Sequence, residues 1–186
     1  GFVVQRQVQI SDVRIEITGA VTGTPISVDE LRARLNFVQP GTRLSKQLIQ
    51  RNADEIQVYL RDRGYFNATV EPVEQVGPRG IRATVIYRVT PNDQGRVESF
   101  GIDIKGFDPG PVRNTLVLQQ GTPFTRDDLA TDVNRIRDAL VAAGFLSPIL
   151  EDPRVERDPE KNTVRIVLTG GVGPKVNGVV KNYEDS

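Results

Sequence analysis

The sequence predicts an α+β fold of two tandem modules. Each is a small three-stranded mixed sheet covered on one face by two helices, in the order β-α-α-β-β. Three observations carry this expectation. First, residues 39–66, Q-P-G-T-R-L-S-K-Q-L-I-Q-R-N-A-D-E-I-Q-V-Y-L-R-D-R-G-Y-F, are echoed 80 residues later at 119–146. Six positions are identical at that offset: Gln39/Gln119, Gly41/Gly121, Thr42/Thr122, Ile56/Ile136, Leu60/Leu140 and Gly64/Gly144. Second, both copies carry an apolar stripe at helical spacing, Ile49, Ala53, Ile56 and Leu60 in one and Leu129, Val133, Ile136 and Leu140 in the other. Third, a strongly β-branched run follows each copy, I-R-A-T-V-I-Y-R-V at 81–89 and T-V-R-I-V-L at 163–168. A repeat of this period makes the chain an array of small modules. A sheet this small is stable only with one face covered, which two amphipathic helices provide while the other face stays solvated.

The elements follow in order. Residues 1–11 read as a lead-in strand or linker. Residues 12–19, D-V-R-I-E-I-T-G, alternate apolar and polar through Val13, Ile15 and Ile17 and end at a glycine, as a half-buried strand does. Ser27 is placed to cap a short helix through Phe37, with Asp29 and Glu30 in its first turn and Leu31, Leu35 and Val38 facing inward. The Pro40-Gly41 turn leads to the long helix, about 45–63, stopped by Gly64 in a left-handed cap. A strand over 67–73 follows, and Pro72 within it argues for a sheet edge. Residues 76–80 are a turn, 81–89 the central strand and 91–95 a polar linker. The order then restarts. Residues 100–106, F-G-I-D-I-K-G, set Ile102 and Ile104 on the sites of Ile15 and Ile17. A short helix is expected near 111–118, then a long one capped by Thr125 and ended by Gly144. A weak strand near 146–150, a polar loop at 151–162 and a strong strand at 163–168 complete the second module. The expected domains are therefore 12–95 and 96–175. A glycine-rich link at 170–175 leads to residues 176–186, the start of a possible third module.

Composition narrows the function. The 24 basic and 24 acidic residues cancel, so no net field draws nucleic acid or an acidic membrane. The absence of Cys removes thiol nucleophiles, disulfides and zinc–thiolate sites. The absence of His removes the commonest general base and metal ligand, which lowers the expectation of an enzyme. No apolar run is long enough to span a bilayer as a helix, and the chain lacks Met even at position 1, as an excised or processed segment would.

The combination of V-x-I-x-I-x-G in the first strand, G-T before the long helix and I-x-x-x-L-x-x-x-G-[YF] at its end resembles the POTRA (polypeptide-transport-associated) domain. The last motif is Ile56, Leu60, Gly64 and Tyr65, and again Ile136, Leu140, Gly144 and Phe145. Gly95-Arg96-Val97 and the similar Gly173-Pro174-Lys175-Val176 match its exit from the third strand. The resemblance covers about 12–176. It implies tandem POTRA domains of the Omp85, surface antigen D15-like family, on the periplasmic face of the outer membrane of a Gram-negative bacterium. It implies no cofactor and no catalysis. The implied partners are unfolded or nascent outer-membrane proteins, accessory assembly subunits and a C-terminal β-barrel of the full-length protein, with this segment itself outside the membrane. A two-partner secretion transporter or a cell-division complex is the alternative setting.

The candidate polypeptide-binding residues lie in the strand after each glycine–aromatic stop: Asn67, Ala68, Thr69, Val70, Glu71 and Val73, and Leu146, Ser147, Ile149 and Leu150. These stretches are short and interrupted by Pro72 or Pro148, as edge strands tend to be, and an unpaired edge is either guarded or used. Sharper readings are weighed against plainer ones. Asp128 and Asp132 share a helix face and could form a metal or acid–base pair, but acids near a helix start usually serve capping and the dipole. Gly170-Gly171-Val172-Gly173-Pro174-Lys175 lacks the ending of a phosphate loop and reads better as a joint. Tyr65 and Phe66 could bind a client, but core or hinge packing is the expectation.

Overall fold

The computed structural model describes residues 7–19 and 21–171. They form two compact units that divide after Gln94.

The first unit holds β1 (Gln9–Ile17), α1 (Val28–Arg32), α2 (Lys46–Asp62), β2 (Thr69–Val76) and β3 (Arg82–Thr90). Its sheet order is β1-β3-β2, with β1 parallel and β2 antiparallel to β3. The β-branched run is thus central. Ala83, Val85, Tyr87 and Val89 alternate along β3 and are buried. Val85, Tyr87 and Val89 pack with Val13 and Ile15 of β1, Leu31, Leu35 and Val38, and the α2 stripe Ile49, Ala53, Ile56 and Leu60. Ser27 closes a capping box: its hydroxyl accepts from the Glu30 N–H at 3.1 Å, and Glu30 accepts from the Ser27 N–H at 2.6 Å. Gly64 stops α2 with φ 87°, a conformation that costs a side chain dearly.

The second unit holds β4 (Arg96–Ile104), α3 (Gly110–Arg113), α4 (Arg126–Ala142), β5 (Ile149–Leu150), β6 (Arg154–Asp158) and β7 (Thr163–Gly171). β4 runs parallel to β7, and β5 and β6 both pair antiparallel with it. Val164, Ile166 and Leu168 are fully buried. Thr125 caps α4 by accepting from the Asp128 N–H at 3.1 Å.

Several boundaries differ from expectation, each for a local reason. β1 starts at Gln9 and β4 at Arg96, earlier than the alternation indicated, because each carries a bulge that breaks the period: Ser11 between Ile10 and Asp12, and Glu98 between Val97 and Ser99. α1 and α3 are single short turns, and Leu35, Val38, Leu116 and Leu118 reach the core from the loops after them. β2 begins two residues later than expected, so Asn67 and Ala68 precede it; Leu146 and Ser147 likewise precede β5. The expected polar loop at 151–162 contains β6, R-V-E-R-D, whose five residues include one apolar side chain. Backbone pairing with β7 holds it, and a solvated edge strand needs no apolar face of its own. Gly170 and Gly171 belong to β7 instead of a loop. A Cβ on Gly170 would lie 2.4 Å from the Ile149 carbonyl oxygen, so this glycine allows β5 its close approach. Val172–Lys175 and the possible third module fall outside the described residues.

The face away from the helices is not uniformly polar. Ile86 points there, yet is only 3% exposed. It is flanked in register by Arg14 on β1 and Val73 on β2.

Candidate functional site

Each unit has two sheet edges, and the first-strand edges are guarded. In β1 the Ile10 N–H donates to the Thr42 carbonyl at 2.8 Å, the Gly41 N–H donates to the Ile10 carbonyl at 2.7 Å, and the Leu44 N–H donates to the Val8 carbonyl at 2.8 Å. In β4 the Val97 N–H donates to Thr122 at 2.8 Å, the Gly121 N–H to Val97 at 2.7 Å, and the Phe124 N–H to Gly95 at 2.9 Å. The repeated G-T turn is therefore an edge cover. Its glycines sit at φ 91° and 85°, and the Thr42 and Thr122 side-chain oxygens accept from the Gln39 and Gln119 N–H groups. Beyond each bulge an arginine finishes the job. Arg32 of α1 donates to the Val13 carbonyl at 3.2 Å, and Arg113 of α3 donates to the Phe100 carbonyl at 2.5 Å. Capped carbonyls and charge are common ways to blunt an edge.

The opposite edge of the first unit belongs to β2. The Gly77 N–H donates to the Arg82 carbonyl at 2.8 Å, which fixes the phase of the ladder. Antiparallel pairs alternate between bonded and non-bonded. Thr69, Glu71, Val73 and Gln75 therefore turn their backbone groups to β3, while Val70, Pro72, Glu74 and Val76 turn theirs outward. Pro72 sits in a non-bonded pair with Tyr87, where its missing N–H costs the sheet nothing. Among the described residues, nothing hydrogen-bonds to the outward groups of Val70, Glu74 or Val76.

The sequence-predicted candidates divide accordingly. Thr69, Val70, Glu71 and Val73 lie in β2. Asn67 and Ala68 belong to the closure of the unit: Asn92 donates to the Asn67 carbonyl at 2.8 Å, Gln57 donates to the Ala68 carbonyl at 3.1 Å, and Ala68 is buried. Ile149 and Leu150 form β5, paired with Gly171 and Gly170, while Leu146 and Ser147 sit in the preceding bend. Leu146 and Ile149 are among the most exposed large apolar side chains. Sequence reasoning missed Glu74 and Val76, because the strand runs three residues past its expected end.

Other candidates have structural roles. Asp132 is fully buried, and its two carboxylate oxygens accept from the Val117 and Leu118 N–H groups, each at 2.8 Å. It ties the loop after α3 to α4, which leaves no free carboxylate for an acid–base pair with Asp128. Among the described residues no group of three or more His, Cys, Asp or Glu could hold a metal ion, and no helix is long and apolar enough to cross a membrane. Tyr65 is fully buried and donates its hydroxyl to the Thr24 carbonyl at 2.5 Å. Gln94 clamps the same loop, accepting from the Thr24 N–H and donating to the Arg63 carbonyl, both at 2.7 Å. Burial holds the Tyr65 phenol above its ordinary range.

The family model described as surface antigen variable number repeat, POTRA, matches residues 9–92 and again 101–169. The chain belongs to the POTRA family. Two matches in one chain correspond to the two units; the first runs strand, two helices, two strands, and the second keeps that order but splits its outer strand into β5 and β6. No curated protein sequence matches. Solved structures similar to this POTRA pair include BamA POTRA3-5 from Haemophilus influenzae, at 16% identity and TM-score 0.48, over 90% of this chain and 62% of that one. POTRA1-3 of the periplasmic domain of Omp85 from Anabaena matches at 16% identity and TM-score 0.44, over 96% and 70%. CdiB from Acinetobacter baumannii matches at 10% identity and TM-score 0.46, over 95% and 31%. The chain thus spans about three fifths of the length of the Haemophilus influenzae structure.

Proposed function

We propose that this POTRA pair is a periplasmic polypeptide-binding and scaffold segment of a machine that assembles or translocates outer-membrane β-barrel proteins. It works on the periplasmic face of the outer membrane of a Gram-negative bacterium, beside a C-terminal β-barrel of the full-length protein. Its partners are unfolded or nascent outer-membrane proteins and accessory assembly subunits, held by strand addition and other non-catalytic contacts without a cofactor.

The observation that supports this reading is the asymmetry of the first sheet. Its β1 edge is covered by a turn and an arginine, while the β2 edge presents outward backbone groups with no described partner. Strand addition draws affinity from backbone hydrogen bonds and asks little of side-chain identity, which suits a module handling many unfolded clients. Each site is weak, because an extended client loses conformational entropy on ordering. An array compensates through effective concentration.

Amide chemical-shift mapping with peptides copied from outer-membrane β-strands tests it. Shifts concentrated on β2 are expected. Shifts confined to the helix surfaces, or none at millimolar peptide, would overturn strand addition.

A further inference from the structure

The β2 edge is not uniform along its length, and the differences are in the backbone. Its outward positions run Ala68, Val70, Pro72, Glu74 and Val76. Ala68 is already spent: its N–H donates to the Tyr65 carbonyl at 3.3 Å, and its carbonyl accepts from Gln57. Pro72 offers a carbonyl but no N–H. Val70 is therefore an isolated donor between a closed position and a donorless one. Glu74 and Val76 are consecutive and both complete. Past them the chain turns at Gly77 and Pro78.

The side chains differ too. Val76 is 52% exposed, and beside it a shallow cavity is lined by Gly77, Pro78, Arg79, Ile81 and Arg82. Among the described residues the Glu74 carboxylate has no ion-pair partner, whereas Glu71 lies in register with Arg88, which is itself 3.8 Å from Glu16. The Glu74 carboxylate is therefore available to a basic side chain on an incoming strand.

The second unit interrupts its outer strand at the matching place. β5 ends at Leu150, β6 begins at Arg154, and the pairing with β7 slips by one residue across the gap, which contains Pro153. Two different devices divide the strand in two.

We infer that Pro72 sets the register of strand addition in the first unit, confining an incoming chain to Glu74–Val76 with the Pro72 carbonyl as its last acceptor. The occupant is a short extended segment that offers three alternate N–H groups to the Pro72, Glu74 and Val76 carbonyls, two carbonyls to the Glu74 and Val76 N–H groups, and a basic side chain opposite Glu74. This inference rests on the strand-addition reading and deepens it. A grip this short keeps each contact weak and releasable, and it prevents a long client strand from being zipped irreversibly onto the edge.

The test uses the full chain and a capped peptide of sequence T-V-R-I-V-L, copied from 163–168 of this protein. Hydrogen exchange of the unmutated chain with saturating peptide should slow at the Glu74 and Val76 amides by at least tenfold and leave the Val70 amide unchanged. Val76→Pro should abolish binding, Val70→Pro should leave it intact, and T-V-E-I-V-L should bind several-fold more weakly. Pro72→Ala should extend protection to Val70 and tighten binding. Equal protection of Val70, Glu74 and Val76 in the unmutated chain would overturn the register inference while keeping strand addition. Peptide binding that protects none of the three amides would overturn both.

Discussion

Asn52 and Asp132 occupy the same repeat position, and each accepts backbone N–H groups from the loop that precedes its helix. Asn52 is fully buried and takes the Asn36 N–H at 3.2 Å; Asp132, equally buried, takes those of Val117 and Leu118 at 2.8 Å. Asp132 brings one oxygen to each of its two donors, whereas Asn52 brings its single amide oxygen to one. Asp132→Ala orphans two N–H groups and should destabilise the second unit by about 2–5 kcal/mol; Asp132→Asn should cost less, about 1–2 kcal/mol. Denaturant melts of the three chains check the order.

Leu60 and Leu140 close the helix stripes and are fully buried. Leu60→Ala and Leu140→Ala should each cost about 2–5 kcal/mol, a large share of what a unit of this size holds. Each variant should lower the melting midpoint of its own unit. Melts matching the parent would show the stripes to be misassigned.

Gly170→Ala should dislodge β5 without unfolding the sheet. The added methyl meets the Ile149 carbonyl at 2.4 Å, while the β6–β7 pairs and every β4–β7 pair but the last, Ile104 with Gly170, lie on other residues. Amide exchange should quicken at Glu151, whose N–H donates to the Thr169 carbonyl at 3.0 Å, and stay slow at Ile166.

The first unit should unfold before the second at alkaline pH. Burial raises the phenols of Tyr59, Tyr65 and Tyr87 above their ordinary value of 10.0, helped at Tyr59 by its hydrogen bond to Glu30. In the fold they keep protons that the unfolded chain gives up. Stability is thus complete below pH 10 and falls as pH rises through the folded values. All three lie in the first unit, and the second has no Tyr among its described residues. Tyrosinate absorbance should rise together with loss of part of the circular dichroism signal, leaving a helical remainder from the second unit.

Legibility followed local chemistry. Caps such as Ser27 and Thr125, the left-handed Gly64 and Gly144, and the buried β-branched runs announce themselves, because each meets a requirement within a few residues. The repeat singled out Gly41, Thr42, Gly121 and Thr122, but only the fold shows what they do, which is to bond strands more than 20 residues away in sequence. β6 was hidden because Arg154–Asp158 is held through its backbone. The outward position of Pro72 depends on the phase of a ladder, which no residue type specifies. Asp132 was visible as an acid on a helix face, but its two donors come from a loop 14 and 15 residues earlier.

The central strand of each sheet is the last to be synthesised. Val13 pairs with Val85, and Val97 with Val164, so the parallel pairing closes a loop of most of a unit. Loop-closure entropy is lost before such contacts return anything, which makes them slow to form. As the chain emerges, the helices can form early while the outer strands wait without a partner, and arrival of Arg82–Thr90 or Thr163–Gly171 completes a sheet in one step. A chain halted before that point would carry unpaired strands, two in the first unit and three in the second, and is most exposed to mispairing in that interval.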